Sequence, residues 1–285
     1  MRTLLTTALL MSTAWATTLP RSFAVEVTGK GRPMILIPGL ASSGKTWDST
    51  VAHYKDKYEC HVLTLAGFAG QPPIQSDSFL QTVRDDIITY IRDNKLQKPV
   101  IVGHSLGGLV ALWIAEQAPD LVGPLVIVDS LPFLGGITSD TATSESVKPI
   151  ADQIRKMYAN QTPEQAAKMS EMSVRPMVTK DADYETIRGW GRASDPTTLA
   201  EALAEMFTTD IRGGLTKIQS PALVMGTWIG YKEYSTRDQV KANFDRQYSG
   251  LARLQFVMFE NARHFIMFDD PDGFFRTMDG FLRKQ

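Results

Sequence analysis

The sequence predicts an α/β protein: a mostly parallel sheet with helices on both faces and a helical cap inserted between two strands. Three observations carry this expectation. From Phe23 onward, short apolar runs alternate with longer helical patterns, the rhythm of successive βαβ units. Runs such as Val100-Ile101-Val102 and Leu125-Val126-Ile127-Val128 are apolar without alternation, as strands buried on both faces are. From Leu131 to about Gly214 the strand rhythm stops and roughly four helical segments take its place.

The elements follow in chain order. Arg2 gives a short positive start, Leu4 to Ala14 is mostly apolar, and Ala14-Trp15-Ala16 fits small-x-small cleavage. Residues 1–16 therefore read as a signal peptide, with export to a periplasm or the exterior expected. A buried N-terminal helix is the other reading, against which Pro20 and Arg21 break the run. Strands are expected at Phe23–Thr28 and Met34–Pro38, joined by the turn Gly29-Lys30-Gly31, then at Cys60–Leu65, Val100–Gly103, Leu125–Asp129, Ala222–Gly226 and Leu254–Phe259. Between Ser78 and Asp93, Phe79, Leu80, Val83, Ile87, Ile88 and Ile91 recur at helical spacing, with Ser78 and Gln81 placed as a capping box. Asp269 and Asp270 before Pro271 read as the N-terminal cap of a final helix. The expected division is a core over 17–130 and 215–285 and a cap over 131–214. The cap holds Met157, Met169, Met172, Met177 and Met206, which fit either an adaptable pocket roof or ordinary core filling.

Composition limits the partners. The chain has 285 residues, 21% charged and 43% hydrophobic, with 30 basic against 31 acidic side chains, an ordinary globular balance. A formal charge of −1 supplies no field to attract phosphate backbones or anionic lipid, so nucleic acid is not an expected partner. Beyond the leader no apolar run is long enough to span a bilayer, so stable membrane insertion is not expected. With Cys60 as the single cysteine, neither an internal disulfide nor a cysteine metal cage is expected; Cys60 reads as a small buried hydrophobe.

The chemistry centres on Gly103-His104-Ser105-Leu106-Gly107-Gly108, which follows a strand and precedes the helical run Leu109–Ala118. This is G-x-S-x-G between strand and helix. Glycines at 103 and 107 remove Cβ atoms where the two elements crowd, so the Ser105 hydroxyl is lifted above the sheet edge.

In this motif and its setting the sequence resembles the α/β-hydrolase superfamily, in particular its serine-nucleophile, esterase- and lipase-like members. The resemblance implies an eight-stranded, mostly parallel sheet and a nucleophile, acid and histidine in that chain order. Met34-Ile35-Leu36-Ile37-Pro38-Gly39-Leu40 resembles the family's oxyanion loop, with Pro38 where a histidine is usual, and Leu65–Gly70 resembles its next loop, with Thr64 where an aspartate is common. By analogy the N–H groups of Leu40 and Leu106 form the oxyanion hole.

Serine needs a base, and there are four histidines. His104 is the neighbour of Ser105 in a tight turn and should pack beneath it; His61 opens a strand, and His53 sits in an early polar helix. His264 follows the last strand, where the family places its catalytic histidine. The acid departs from the common pattern. The loop after Ala222–Gly226 reads Thr227-Trp228-Ile229-Gly230-Tyr231, without a carboxylate at the usual site. Asp129, one strand earlier, stands at the family's alternative acid position; a turn cap is its structural reading, and Glu233 and Asp238 are its rivals. Trp228 and Tyr231 read as a substrate wall or as packing, and Phe133, Leu40, Leu106 and cap methionines complete a mainly apolar site.

The expected function is a serine hydrolase cleaving a carboxylic ester of a small, largely apolar substrate through an acyl-enzyme, with no metal or organic cofactor. Lactone, amide, carbon–carbon and perhydrolase chemistry remain open, because the scaffold hosts many reactions. A non-catalytic binder of a small ligand is the competing class. Oligomeric state does not follow from the sequence.

Overall fold

A computed structural model describes residues 22–285; the signal peptide expected over residues 1–16 lies outside these residues. The chain runs β1 (Phe23–Gly29), β2 (Arg32–Ile37), α1 (Asp48–Tyr54), β3 (Tyr58–Leu65), α2 (Phe79–Asp93), β4 (Val100–His104), α3 (Leu106–Gln117) and β5 (Leu125–Val128). Four helices follow: α4 (Lys148–Asn160), α5 (Pro163–Val174), α6 (Asp181–Arg192) and α7 (Pro196–Thr208). The chain then returns to the sheet with β6 (Ala222–Thr227), α8 (Arg237–Gln247), β7 (Leu254–Phe259), α9 (Ile266–Asp269) and α10 (Pro271–Leu282).

The described residues form one sheet of seven strands, not eight, in the order β1-β3-β2-β4-β5-β6-β7. Only β1 is antiparallel, and it pairs with β3. The two strands joined by the turn Gly29-Lys30-Gly31 do not pair with each other: Gly29 and Gly31, both at positive φ, pack against the main chain of Lys55 to Tyr58 as it enters β3. That approach slots β3 between β1 and β2. Edge strand β1 carries exposed Glu26, Val27 and Thr28, and charge on an edge discourages further pairing.

Alternation along the inner strands divides the core. Ile35, Ile37, Ile101 and Ile127 face α2 and α3, whereas Met34, Leu36, Val100, Val102 and Val126 share a cluster with Trp47, Phe274 and Met278. α3 is buried over most of its surface, from Leu106 to Ala115, as a helix apolar all round should be.

Two local expectations change. Ser78 makes no side-chain cap to α2; instead Glu205 of α7 accepts from the N–H of Phe79 at 2.7 Å, from that of Leu80 at 2.8 Å and from Ser78 Oγ at 3.2 Å. A carboxylate from a distant helix thus meets the orphan N–H groups of the first turn, although burial pushes Glu205 above its ordinary range. Asp270 caps α10 by accepting from Gly273 N–H at 2.9 Å, but Asp269 turns to the N–H groups of Thr179 and Arg263. Cys60 is fully buried, and burial pushes its thiol up to about 11.

Candidate active site

The elbow after β4 is tight because side chains are missing where main chains touch. A Cβ on Gly107 would lie 2.7 Å from the Pro38 carbonyl oxygen, and one on Gly103 would strike the main chain of Gly107 and Gly108. Ser105 between them has φ 52°, ψ −119°, a strained conformation for a residue with a Cβ and one that clusters at functional sites. Its N–H donates to the Val128 carbonyl at 2.9 Å, tying the elbow to the end of β5.

Asp129, the next residue after β5, is also at positive φ, 44°, which aspartate tolerates better than most residues. The turn aims its carboxylate across the end of β6. Oδ1 accepts from Thr227 N–H at 3.0 Å, and Oδ2 lies 2.6 Å from His264 Nδ1. An ionised carboxylate only accepts, so His264 carries its proton on Nδ1 and leaves Nε2 bare. Both side chains are enclosed, 14% exposed for His264 and 5% for Asp129. Tyr248 OH donates to the Ser130 carbonyl at 2.7 Å, anchoring the loop that begins with Asp129.

His104 packs beneath the site, as its position next to Ser105 predicts. Its ring centroid is 4.5 Å from that of His264 and 4.5 Å from that of Phe265, and its Nε2 donates to the His264 carbonyl at 3.1 Å. Burial, aided by His264, holds His104 well below the ordinary histidine range; a neutral ring lies under the imidazole.

The family model described as "Alpha/beta hydrolase family" matches residues 34–277. The chain belongs to the alpha/beta hydrolase family. This hydrolase is 24% identical over 265 residues to a pimeloyl-[acyl-carrier protein] methyl ester esterase of Nitrosomonas europaea, covering 90% of this chain and 98% of the relative. It is 25% identical over 278 residues to an N-formylmaleamate deformylase of Pseudomonas putida, covering 92% of each. Among solved structures, a hydrolase from Pseudomonas aeruginosa superposes with a TM-score of 0.77 at 17% identity, over 91% of this chain and 94% of the other.

In this hydrolase Ser105, Asp129 and His264 line one cavity of about 680 Å³, with room for a small organic substrate. Ser105 Oγ makes no hydrogen bond to another described residue, and such bonds tighten when substrate docks. The N–H groups of Leu40 and Leu106 have no acceptor among the described residues; Leu106 opens α3, where an N–H has no intrahelical partner. Gly39 lies against Ser105 and His104, which brings the Leu40 loop to the elbow.

The remaining expectations divide. Tyr231 lines the cavity, 44% exposed at its mouth. Trp228 does not: its indole N–H donates to Glu260 at 2.9 Å, and Glu260 also holds Arg237. Phe133 is not a substrate wall either. It is fully buried with Ala142 and Val147, under the Arg212 guanidinium at 4.5 Å. Neither rival acid borders the cavity, Glu233 being exposed and Asp238 facing solvent beside Arg237. Of the five methionines between β5 and β6, Met206 alone reaches it. Sequence reasoning missed Thr227, Tyr248 and the polar face of α8: a main-chain donor and a remote hydroxyl leave no motif. Among the described residues no group of three or more His, Cys, Asp or Glu side chains is arranged to hold a metal, and no helix is long and apolar enough to cross a membrane.

Proposed function

We propose that this protein is a serine hydrolase that cleaves a carboxylic ester of a small, largely apolar substrate through an acyl-enzyme. The observation that carries the reading is the 2.6 Å contact of His264 Nδ1 with Asp129 in the cavity that also holds the strained Ser105. His264 Nε2 takes the hydroxyl proton as Ser105 Oγ attacks the ester carbonyl. The imidazolium is stabilised by Asp129 on its far side. The oxyanion lies between the N–H groups of Leu40 and Leu106, and two such donors typically lower the barrier by about 3 kcal/mol or more. The carbon–oxygen bond breaks, and the alcohol leaves with the proton from His264. Water, giving its proton to the same Nε2, attacks the acyl carbon and releases acid and Ser105.

Leu109, Leu131, Leu134, Met206 and Phe244 supply apolar cavity surface, and an ester-cleaving relative matched over nearly its full length supports this reaction class. In this reading α4 to α7 form a cap over the site. No metal or organic cofactor is required. Export rests on the pattern of residues 1–16 alone; protein recovered outside the cytoplasm and beginning after Ala16 is the expected result.

The test is a fluorophosphonate label with turnover of a short p-nitrophenyl ester. Wild type should label and turn over, and Ser105→Ala should do neither while keeping its fold. Equal labelling of the two proteins, or a folded wild type inert to both reagents, overturns the proposal.

A further inference from the structure

The cavity lining joins apolar side chains to a set of polar ones. α8 borders it with Gln239, Asn243 and Arg246, positions separated by one helical turn each and therefore on one face. The acceptors of this face are already used. Gln239 Oε1 takes the Thr236 N–H at 2.9 Å. Asn243 Oδ1 takes Arg246 Nη2 at 2.7 Å and Gln247 Nε2 at 3.2 Å. Both amide orientations are fixed, because a main-chain N–H and a guanidinium can only donate. The Nε2 protons of Gln239 and the Nδ2 protons of Asn243 consequently have no acceptor among the described residues.

Arg246 adds the charge. Nη1 meets Asp140 Oδ1 at 2.6 Å, Nη2 meets Asn243, and the buried Nε has no acceptor. Asp140 is 77% exposed, and an exposed ion pair of this kind holds weakly against water. Gln239 is exposed, and Asp140 itself borders the cavity on the guanidinium; the donors of Asn243 and Arg246 beside it suit a ligand group with two oxygens and several lone pairs, the geometry of a carboxylate.

We infer that this face of α8 is a subsite for a carboxylate carried by the substrate at the end remote from the scissile ester. The inference rests on the esterase reading and narrows its substrate to an acyl ester with an apolar stem, lying along Leu131, Leu134 and Met206, and an anionic tip at Arg246. On binding, the tip displaces Asp140 into solvent and takes the donors of Asn243 and Arg246.

Two methyl esters of equal chain length, methyl hexanoate and monomethyl adipate, followed by proton release in a pH-stat, test this. Wild type should favour the adipate half-ester in kcat/KM by about tenfold or more, the effect of one charge-assisted hydrogen bond. Arg246→Gln should bring the ratio of the two esters to about one, chiefly through KM for the half-ester. Asp140→Asn, at a side chain 77% exposed, should raise the ratio by freeing the guanidinium. A wild-type ratio at or below one, a ratio unmoved by Arg246→Gln, or one unmoved or lowered by Asp140→Asn overturns the subsite and leaves the esterase standing. Absence of turnover of both esters together with absence of Ser105-dependent labelling overturns the esterase reading, and the subsite with it.

Discussion

Asp129→Asn exchanges one carboxylate oxygen for an N–H donor without changing the size of the side chain. In the protein Oδ1 accepts from Thr227 N–H and Oδ2 from His264 Nδ1. The buried Thr227 N–H still demands an acceptor, so the asparagine turns its oxygen to Thr227 and its NH2 to His264. His264 Nδ1 must then accept, its proton moves to Nε2, and the nitrogen that should receive the Ser105 proton is blocked. The negative charge that stabilises the imidazolium is lost as well. For a triad of this kind the two effects together lower kcat by about 10³- to 10⁴-fold, or about 4 to 5.5 kcal/mol of barrier. Both hydrogen bonds are refilled, so the fold should survive. The assay is kcat for a short p-nitrophenyl ester from pH 7 to 9, alongside a urea unfolding curve. A folded variant within tenfold of wild type refutes the reasoning.

Three further outcomes are expected. Helix propensity alone favours alanine over glycine by about 1 kcal/mol, but a Cβ at Gly107 meets the Pro38 carbonyl oxygen at 2.7 Å; overpacking of about 1 to 3 kcal/mol wins, and Gly107→Ala should lower Tm, an increase being fatal to the steric argument. Tyr248→Phe leaves the buried Ser130 carbonyl without its donor and should cost about 1 to 3 kcal/mol in urea unfolding; an unchanged midpoint disposes of that anchor. Burial holds both His104 and His61 below the ordinary 6.5. The unfolded chain then binds the extra protons, so stability present above about pH 6.5 falls as the pH is lowered, by up to about 1.4 kcal/mol per unit for each histidine. Urea midpoints between pH 7.5 and 5.5 should decline accordingly and less steeply in His104→Gln, and equal slopes in the two proteins would refute this.

All seven strands were legible, the inner ones because strands buried on both faces are written as unbroken apolar runs, and those of Val100–His104 and Leu125–Val128 are bounded by turn residues. Pairing was not legible: whether β1 joins β2 or β3 is decided by the packing of Gly29 and Gly31 on Lys55 to Tyr58, a contact between segments remote along the chain. Ser105 stood out through its glycines. His264 and Asp129 were readable as positions after strands, but the turn at Asp129 that carries its carboxylate over Thr227 depends on one backbone torsion. Trp228 and Phe133 misled for a common reason. Aromatic residues near a site are equally suited to packing, and Glu260 and Arg212 hold these two elsewhere.

The end of β6 contributes the main-chain N–H of Thr227 to the chemistry, and the loop that follows adds no hydrogen bond to it. Residues 228–235 make no hydrogen bond to Ser105, Asp129 or His264, although Tyr231 and Tyr234 line the cavity and Tyr231 lies near enough to Asp129 to feel its charge. Changes in such a segment act first on which molecules are admitted, since they leave the hydrogen bonds of Asp129 to Thr227 and His264 in place. A grafted or randomised loop in this interval is accordingly a route to new substrate scope that leaves the reactive apparatus whole.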